Sequence, residues 1–224
     1  MASTQLDSPT GFTLDKTLER WQLTSHHHKN FKPFTINFNT GSYLQIYKKG
    51  VSKQDPLAKA IGVKLGKKKI LDLTAGWLKD TWMLLNLGCT VTACENNRIV
   101  FELLQNAIEI DSKDTTYAKL FAHLQLKFIN SLEFIKSENL SQWDVIYLDP
   151  MFPYRGKTAL AGKEMQLLQK LIDSEDSPEA LLSGVLQQKT KRVVVKRPLK
   201  GPELAAGVSF TVSGKSSRFD VYLN

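Results

Sequence analysis

The apolar residues of this chain follow two rhythms, and the change between them falls near Lys69. Upstream, Phe34-Thr35-Ile36-Asn37-Phe38 and Tyr43-Leu44-Gln45-Ile46-Tyr47 alternate with period two on either side of Asn39-Thr40-Gly41-Ser42. Alternation across such a turn predicts a β-hairpin. Asp55-Pro56 then opens a short helix through about Ile61, since Asp can cap a first turn and Pro suits its opening position. Residues 1–30 read as poorly ordered or loosely helical.

Beyond Lys69, short apolar runs alternate with helical stretches. The predicted strands are Ile70 to Leu73, Cys89 to Cys94, Leu126 to Ile129, Val145 to Leu148 and Arg192 to Lys196. Helices are predicted at Asp80 to Leu87, Asn97 to Asp111 and Lys163 to Asp173; in the second, Ile99, Val100, Leu103, Leu104, Ala107 and Ile108 share one face. This order implies a mainly parallel sheet covered on both sides. Two last strands, Val208 to Val212 and Phe219 to Leu223, flank Ser213-Gly214-Lys215-Ser216 and leave no room for a helix. The expected fold is therefore α/β and Rossmann-like, a parallel sheet ending in an antiparallel hairpin as in class I methyltransferases, with a small N-terminal β-hairpin appendage. The expected division is an N-terminus at 1–33, the hairpin and short helix at 34–68, and the main domain at 69–224.

Composition narrows the setting. Of 224 residues, 42% are hydrophobic and 23% charged, which suits a soluble globular protein. Without a run of about 18 apolar residues, no membrane helix is expected. Met1 to Arg20 lacks the apolar core of a signal peptide, so the expected location is the cytoplasm. Cys89 and Cys94, in one predicted strand, suit a reducing compartment. His26-His27-His28 has the wrong spacing for one helix face and no partner cluster, so no metal site is expected. The net charge is +8 and unevenly spread: residues 48–69 hold eight lysines against Asp55, and residues 189–200 hold six cations and no acid. Such stretches supply salt-dependent affinity for phosphate backbones.

In an open α/β sheet, ligands bind beyond the carboxyl ends of the strands. The first strand runs into Asp72-Leu73-Thr74-Ala75-Gly76, small residues that let a ligand approach the backbone. The second ends at Glu95-Asn96, where an acid about twenty residues past the glycine turn can accept both hydroxyls of a ribose. The third ends at Asn130-Ser131, short polar groups able to address an adenine edge. The fourth ends at Asp149, followed by Pro150-Met151-Phe152-Pro153. There the prolines break the ladder, leaving one acceptor and one flat ring, the two things needed to grip a planar base bearing an amine.

Asp72 to Gly76 with Lys79-Asp80, then Tyr147 to Pro153, Lys191 to Pro198 and Arg218 to Tyr222, resemble the bacterial ribosomal small-subunit methyltransferase J family, in the same order, the likeness running from about Phe34 to the C-terminus. The resemblance implies S-adenosylmethionine as cofactor, 16S rRNA or the small ribosomal subunit as partner, and the N2 amine of a guanosine as acceptor. Carried over by position, it implies cofactor contacts at Lys79, Asp80, Glu95, Asn96, Asn130, Ser131 and Asp149, beside the Asp72 to Gly76 turn. On this reading Asp149 and the Pro150 carbonyl accept the two amine hydrogens, and Phe152 stacks on the base. Lys196 and Arg197 hold nearby phosphates.

One position departs from the family. Leu78 stands where a second glycine is expected, behind Trp77. It either projects into the path of the cofactor or forces a different turn. The alternative reading is thus a methyltransferase fold that binds rRNA with weak or no catalysis. A dinucleotide oxidoreductase would also use Glu95, but the chain lacks Gly-x-Gly-x-x-Gly.

Overall fold

The computed structural model describes residues 5–25, 27, 31–150, 163–171 and 177–223. The N-terminal segment forms β1 (Gln5–Asp7), β2 (Thr13–Asp15) and β3 (Gln22–Thr24), an antiparallel sheet in that order. This corrects the expectation of a poorly ordered or loosely helical start. Each strand is a polar-Leu-polar triplet, too short to register as a period, yet Leu6 pairs with Leu14 and Leu14 with Leu23. Leu14 and Leu23 are fully buried beside Phe12.

The expected hairpin over 34–47 is also corrected. Phe34 makes an isolated bridge to Leu23, and the second half of the predicted hairpin is α1 (Gly41–Lys49). Tyr43, Leu44, Ile46 and Tyr47 satisfy helical spacing as well as alternation, so the short run is ambiguous by pattern alone. The helix wins because Tyr43 packs on Phe38 and Trp82, whose indole N–H donates to the Tyr43 carbonyl at 2.9 Å. The next helix, α2 (Pro56–Ile61), begins as predicted, with Asp55 accepting from the Leu57 N–H.

From Lys69 the chain follows β4 (Lys69–Asp72), α3 (Lys79–Asn86), β5 (Thr90–Glu95), α4 (Arg98–Asp111), α5 (Thr115–Phe121), β6 (Leu124–Phe128), α6 (Ser131–Ser137) and β7 (Val145–Leu148). It continues with α7 (Lys163–Leu171), α8 (Pro178–Leu186), β8 (Arg192–Pro198), β9 (Phe210–Ser213) and β10 (Ser217–Leu223). The seven-stranded sheet has the order β6-β5-β4-β7-β8-β10-β9. The first five strands in that order are parallel, and β10 runs antiparallel to both β8 and β9.

Alternate side chains feed two cores. Ile70, Val145, Tyr147 and Val194 face a core built on Trp82, α4 and the N-terminal sheet. Leu71, Ile146, Leu148 and Val195 face one built on α6 and α8. The helices α5, α6 and α8 were not expected. Each is short and begins at a side-chain cap, Asp114, Asn130 or Ser177. Cys89 and Cys94 are both buried free thiols. Among the described residues no helix is long and apolar enough to cross a membrane, and no group of His, Cys, Asp or Glu is placed to hold a metal ion.

Candidate functional site

β4 lies between β5 and β7, so the strand order reverses there, and in open α/β sheets the ligand crevice lies beyond the carboxyl ends of the strands at such a point, here β4 and β7. Asp72 ends β4 on the Trp82 side of the sheet. Only 2% exposed, it accepts from the Thr74 N–H at 3.0 Å and from the Thr81 hydroxyl. Burial pushes its pKa up to about 6 against the pull of those two bonds.

The loop that follows is laced to its neighbours. The Leu73 N–H donates to Tyr147 O, the Ala75 N–H to Cys94 O, and the Gly76 N–H to Glu95 Oε2 at 3.0 Å. The Tyr43 hydroxyl, from α1, donates to the Trp77 carbonyl at 2.6 Å. Gly76 has φ +49°, and a Cβ placed there would lie 3.0 Å from Leu168 Cδ2 on α7. Leu78 has φ 59° and ψ 23°, and among the described residues it is the one non-glycine with positive φ. It therefore keeps the left-handed conformation that a glycine would supply. Its side chain is 1% exposed within the Trp82 core. The expectation that Leu78 obstructs the crevice or alters the turn is corrected: the residue is absorbed by the core.

Glu95 ends β5, also buried, and accepts from the Gly76 and Asn97 N–H groups. Burial pushes its pKa up to about 7 despite those bonds. Asn96 beside it is exposed. Asn97 caps α4 and donates through Nδ2 to the Leu171 carbonyl, drawing the end of α7 toward the loop. Asn130 caps α6 by accepting from the Glu133 N–H, and the Ser131 hydroxyl donates to Leu73 O at 2.6 Å. Ser131 thus ties the end of β6 to the end of β4.

Asp149 stands one residue past β7. Its N–H donates to Thr74 Oγ1 at 2.6 Å, and its Oδ2 accepts from the Lys196 ammonium at 2.8 Å. Lys196 also donates to Asp80 Oδ2 at 2.7 Å, an oxygen that accepts from the Tyr147 hydroxyl as well. Burial drives the Asp149 carboxyl upward, with Lys196 opposing and Asp80 reinforcing the shift. Burial works against the charge on Lys196, but Asp80 and Asp149 outweigh it and raise its pKa. Lys79 opens α3 with its ammonium over the Tyr43 ring. Pro150 is buried, and Phe152 lies outside the described residues.

The structure separates the two cations expected to act together on phosphate. Successive residues of a strand face opposite sides, so Lys196 meets the carboxylates while Arg197 turns to the other face. There Arg197 is 5% exposed and donates to the Pro202 carbonyl at 2.6 and 3.0 Å. Sequence reasoning assigned no supporting role to Thr74, Thr81 or Tyr147, which hold the acids in place. Tyr147 carried a legible signal: a tyrosine in a strand otherwise made of Val, Ile and Leu needs a partner for its hydroxyl.

A parallel sheet reversed at its far edge, with an acid or amide at each central strand end, defines a class I methyltransferase. A family model described as "Putative SAM-dependent methyltransferase" matches residues 2–224. Ribosomal RNA small subunit methyltransferase J of Pseudomonas paraeruginosa is 36% identical over 192 residues, 85% of this chain and 74% of that protein. Its namesake in Nitrosococcus oceani is 35% identical over 215 residues, 94% of this chain and 84% of that one. The crystal structure of a SAM-dependent methyltransferase from Neisseria gonorrhoeae superposes with a TM-score of 0.75 at 29% identity, covering 97% of this chain and 85% of that one. The chain belongs to the ribosomal RNA small subunit methyltransferase J family, and its cofactor is S-adenosylmethionine.

Proposed function

We propose that this methyltransferase modifies the N2 amine of a guanosine in the RNA of the small ribosomal subunit, 16S rRNA, and so works in the cytoplasm. The observation that carries the reading is Asp149 at the crevice, its main chain held by Thr74 and one oxygen by Lys196. The residues present suit the cofactor. Among the described residues, Asp72 and Asp149 at the strand ends and Asp80 in the first turn of α3 outnumber Lys196, an acidic site for a ligand that carries a sulfonium and an ammonium. Glu95 accepts the Gly76 and Asn97 N–H groups on separate oxygens, and a carboxylate, with about four acceptor sites, can accept from a ribose hydroxyl as well. Bound there, S-adenosylmethionine supplies a methyl group on a positively charged sulfur.

The amine of guanine is a poor nucleophile because its lone pair is delocalised into the ring. In this reading Asp149 accepts one N–H and turns the lone pair toward the methyl group, the Pro150 carbonyl accepts the other, and Phe152 stacks on the base. Stacking of this kind is worth about 1–3 kcal/mol. Alignment is the larger contribution, since near-attack geometry removes roughly 7–11 kcal/mol of barrier. A paired guanine is first flipped out of its helix. Asp149→Ala is expected to abolish methylation without unfolding the protein. Mass spectrometry of rRNA nucleosides from cells carrying that variant is the check, and wild-type levels of N2-methylguanosine overturn the proposal.

A further inference from the structure

Lys196 lies one step beyond the register pair Leu148 and Val195, which sets it beside Asp149 on the neighbouring strand. Its ammonium bridges Asp149 Oδ2 and Asp80 Oδ2, and the Tyr147 hydroxyl fixes Asp80 from below. Among the described residues nothing donates to Asp149 Oδ1, and the side chain is 28% exposed. The carboxylate is thus pinned at its backbone and at one oxygen, and the other oxygen is open to a further partner. We propose that Lys196 is a positioning residue for methyl transfer: it holds Asp149 by Oδ2, so that Oδ1 is presented to the substrate amine. The proposal rests on the reading of Asp149 as the acceptor of that amine.

The charge arrangement supports this role. Among the described residues, the titratable groups facing Asp149 are Asp72 from β4, Asp80 from α3, Tyr147 from β7 and Lys196 from β8. Burial and the two aspartates favour a protonated Asp149, and Lys196 opposes them. A protonated carboxyl carries a donor where the amine needs an acceptor. A partly buried ion pair of this kind returns little net stability, because desolvation offsets the Coulomb gain. Its value here lies in fixing one acid in one state and one orientation.

The test is the pH dependence of single-turnover methyl transfer at saturating S-adenosylmethionine, using small-subunit RNA or subunits from cells lacking the gene. Removing an opposite charge at this range shifts a carboxyl pKa by roughly one unit or more. Lys196→Gln is expected to move the acidic limb of the rate profile upward by about that amount, a loss of about tenfold at pH values below the limb. Lys196→Arg keeps the limb near its wild-type position. Asp80→Asn removes a like charge and moves the limb downward. Opposite shifts from two neighbours do not arise from a merely structural defect. Limbs that stay put in both variants overturn the proposal. If Lys196→Gln does not fold by circular dichroism, Asp80→Asn decides, and a limb that stays or rises overturns it. Asp149→Asn separates the two readings. Full activity in that variant removes the amine-acceptor reading itself, whereas an inactive Asp149→Asn with unmoved limbs removes only the role of Lys196.

Discussion

Leu78 holds a backbone conformation that costs an L-residue about 1–2 kcal/mol, yet its side chain is nearly fully buried. Truncating a buried leucine costs about 2–5 kcal/mol, so the side chain outweighs the strain. Leu78→Gly is expected to lower unfolding free energy by about 1–3 kcal/mol in urea titrations, the backbone relief offsetting part of the lost packing. Cofactor affinity in that variant stays within a few-fold of wild type by calorimetry, because the leucine does not occupy the crevice. At this scale the sequence was informative where a polar residue closes an apolar run: Asp72, Glu95 and Asp149 all sit at strand ends. At Asn130 it could not separate two roles, because a helix cap, which the amide oxygen supplies to α6, and a ligand group call for the same short polar side chain. Leu78 was illegible because a sequence does not say whether a side chain at a left-handed turn points outward or inward.

Among the elements, the parallel strands were legible because burial on both faces makes them short apolar blocks. The N-terminal sheet was not, because each strand contributes a single leucine inward and its docking depends on distant partners. The Arg20 guanidinium donates to Asp111 Oδ1 at 2.6 Å and to the Ile36 carbonyl, while Asp111 Oδ2 accepts from the Phe38 N–H. Asn106 accepts from the Trp21 N–H and donates to the Glu19 carbonyl. The bonds from Glu19, Arg20 and Trp21 to Asn106 and Asp111 join the β2–β3 connection to α4 across more than eighty residues of chain. Arg20→Ala strands a buried carboxylate at Asp111 and is expected to destabilise the protein by about 2–4 kcal/mol. Denaturant midpoints measure that loss, and limited proteolysis should show earlier cleavage within residues 5–25.

Across the whole molecule, the basic run at 189–200 does not survive folding as one patch. Lys191 pairs with Asp144, Arg192 donates to the Ala60 carbonyl, Lys196 joins the carboxylates and Arg197 turns to Pro202. The upstream run stays outside: Lys48, Lys49, Lys53, Lys59, Lys64, Lys67 and Lys69 are all exposed. A protein of net charge +8 thus keeps acids at its strand ends behind a basic exterior. Those acids also set how stability responds to pH. Burial holds Asp72 at about 6 and Glu95 at about 7, above their ordinary values of 3.8 and 4.5. Between those limits the folded state binds more protons than the unfolded chain, so stability falls as pH rises through the window. Ligand-free protein is expected to gain on the order of 1–3 kcal/mol between pH 7.5 and pH 5 in denaturant titrations. Glu95→Gln should flatten that slope.

The meeting of Asp149 and Lys196 is written in strand register. The parallel pairing of β7 with β8 ends at Leu148 and Val195, and the next residue on each strand carries one of the two charges. Inserting or deleting one residue ahead of Lys196 within β8 would bring Val195 or Arg197 to the place beside Asp149 and send the ammonium to the far face. Sheet and site therefore share one frame of alignment, and a frameshift in the ladder is also a lesion in the chemistry.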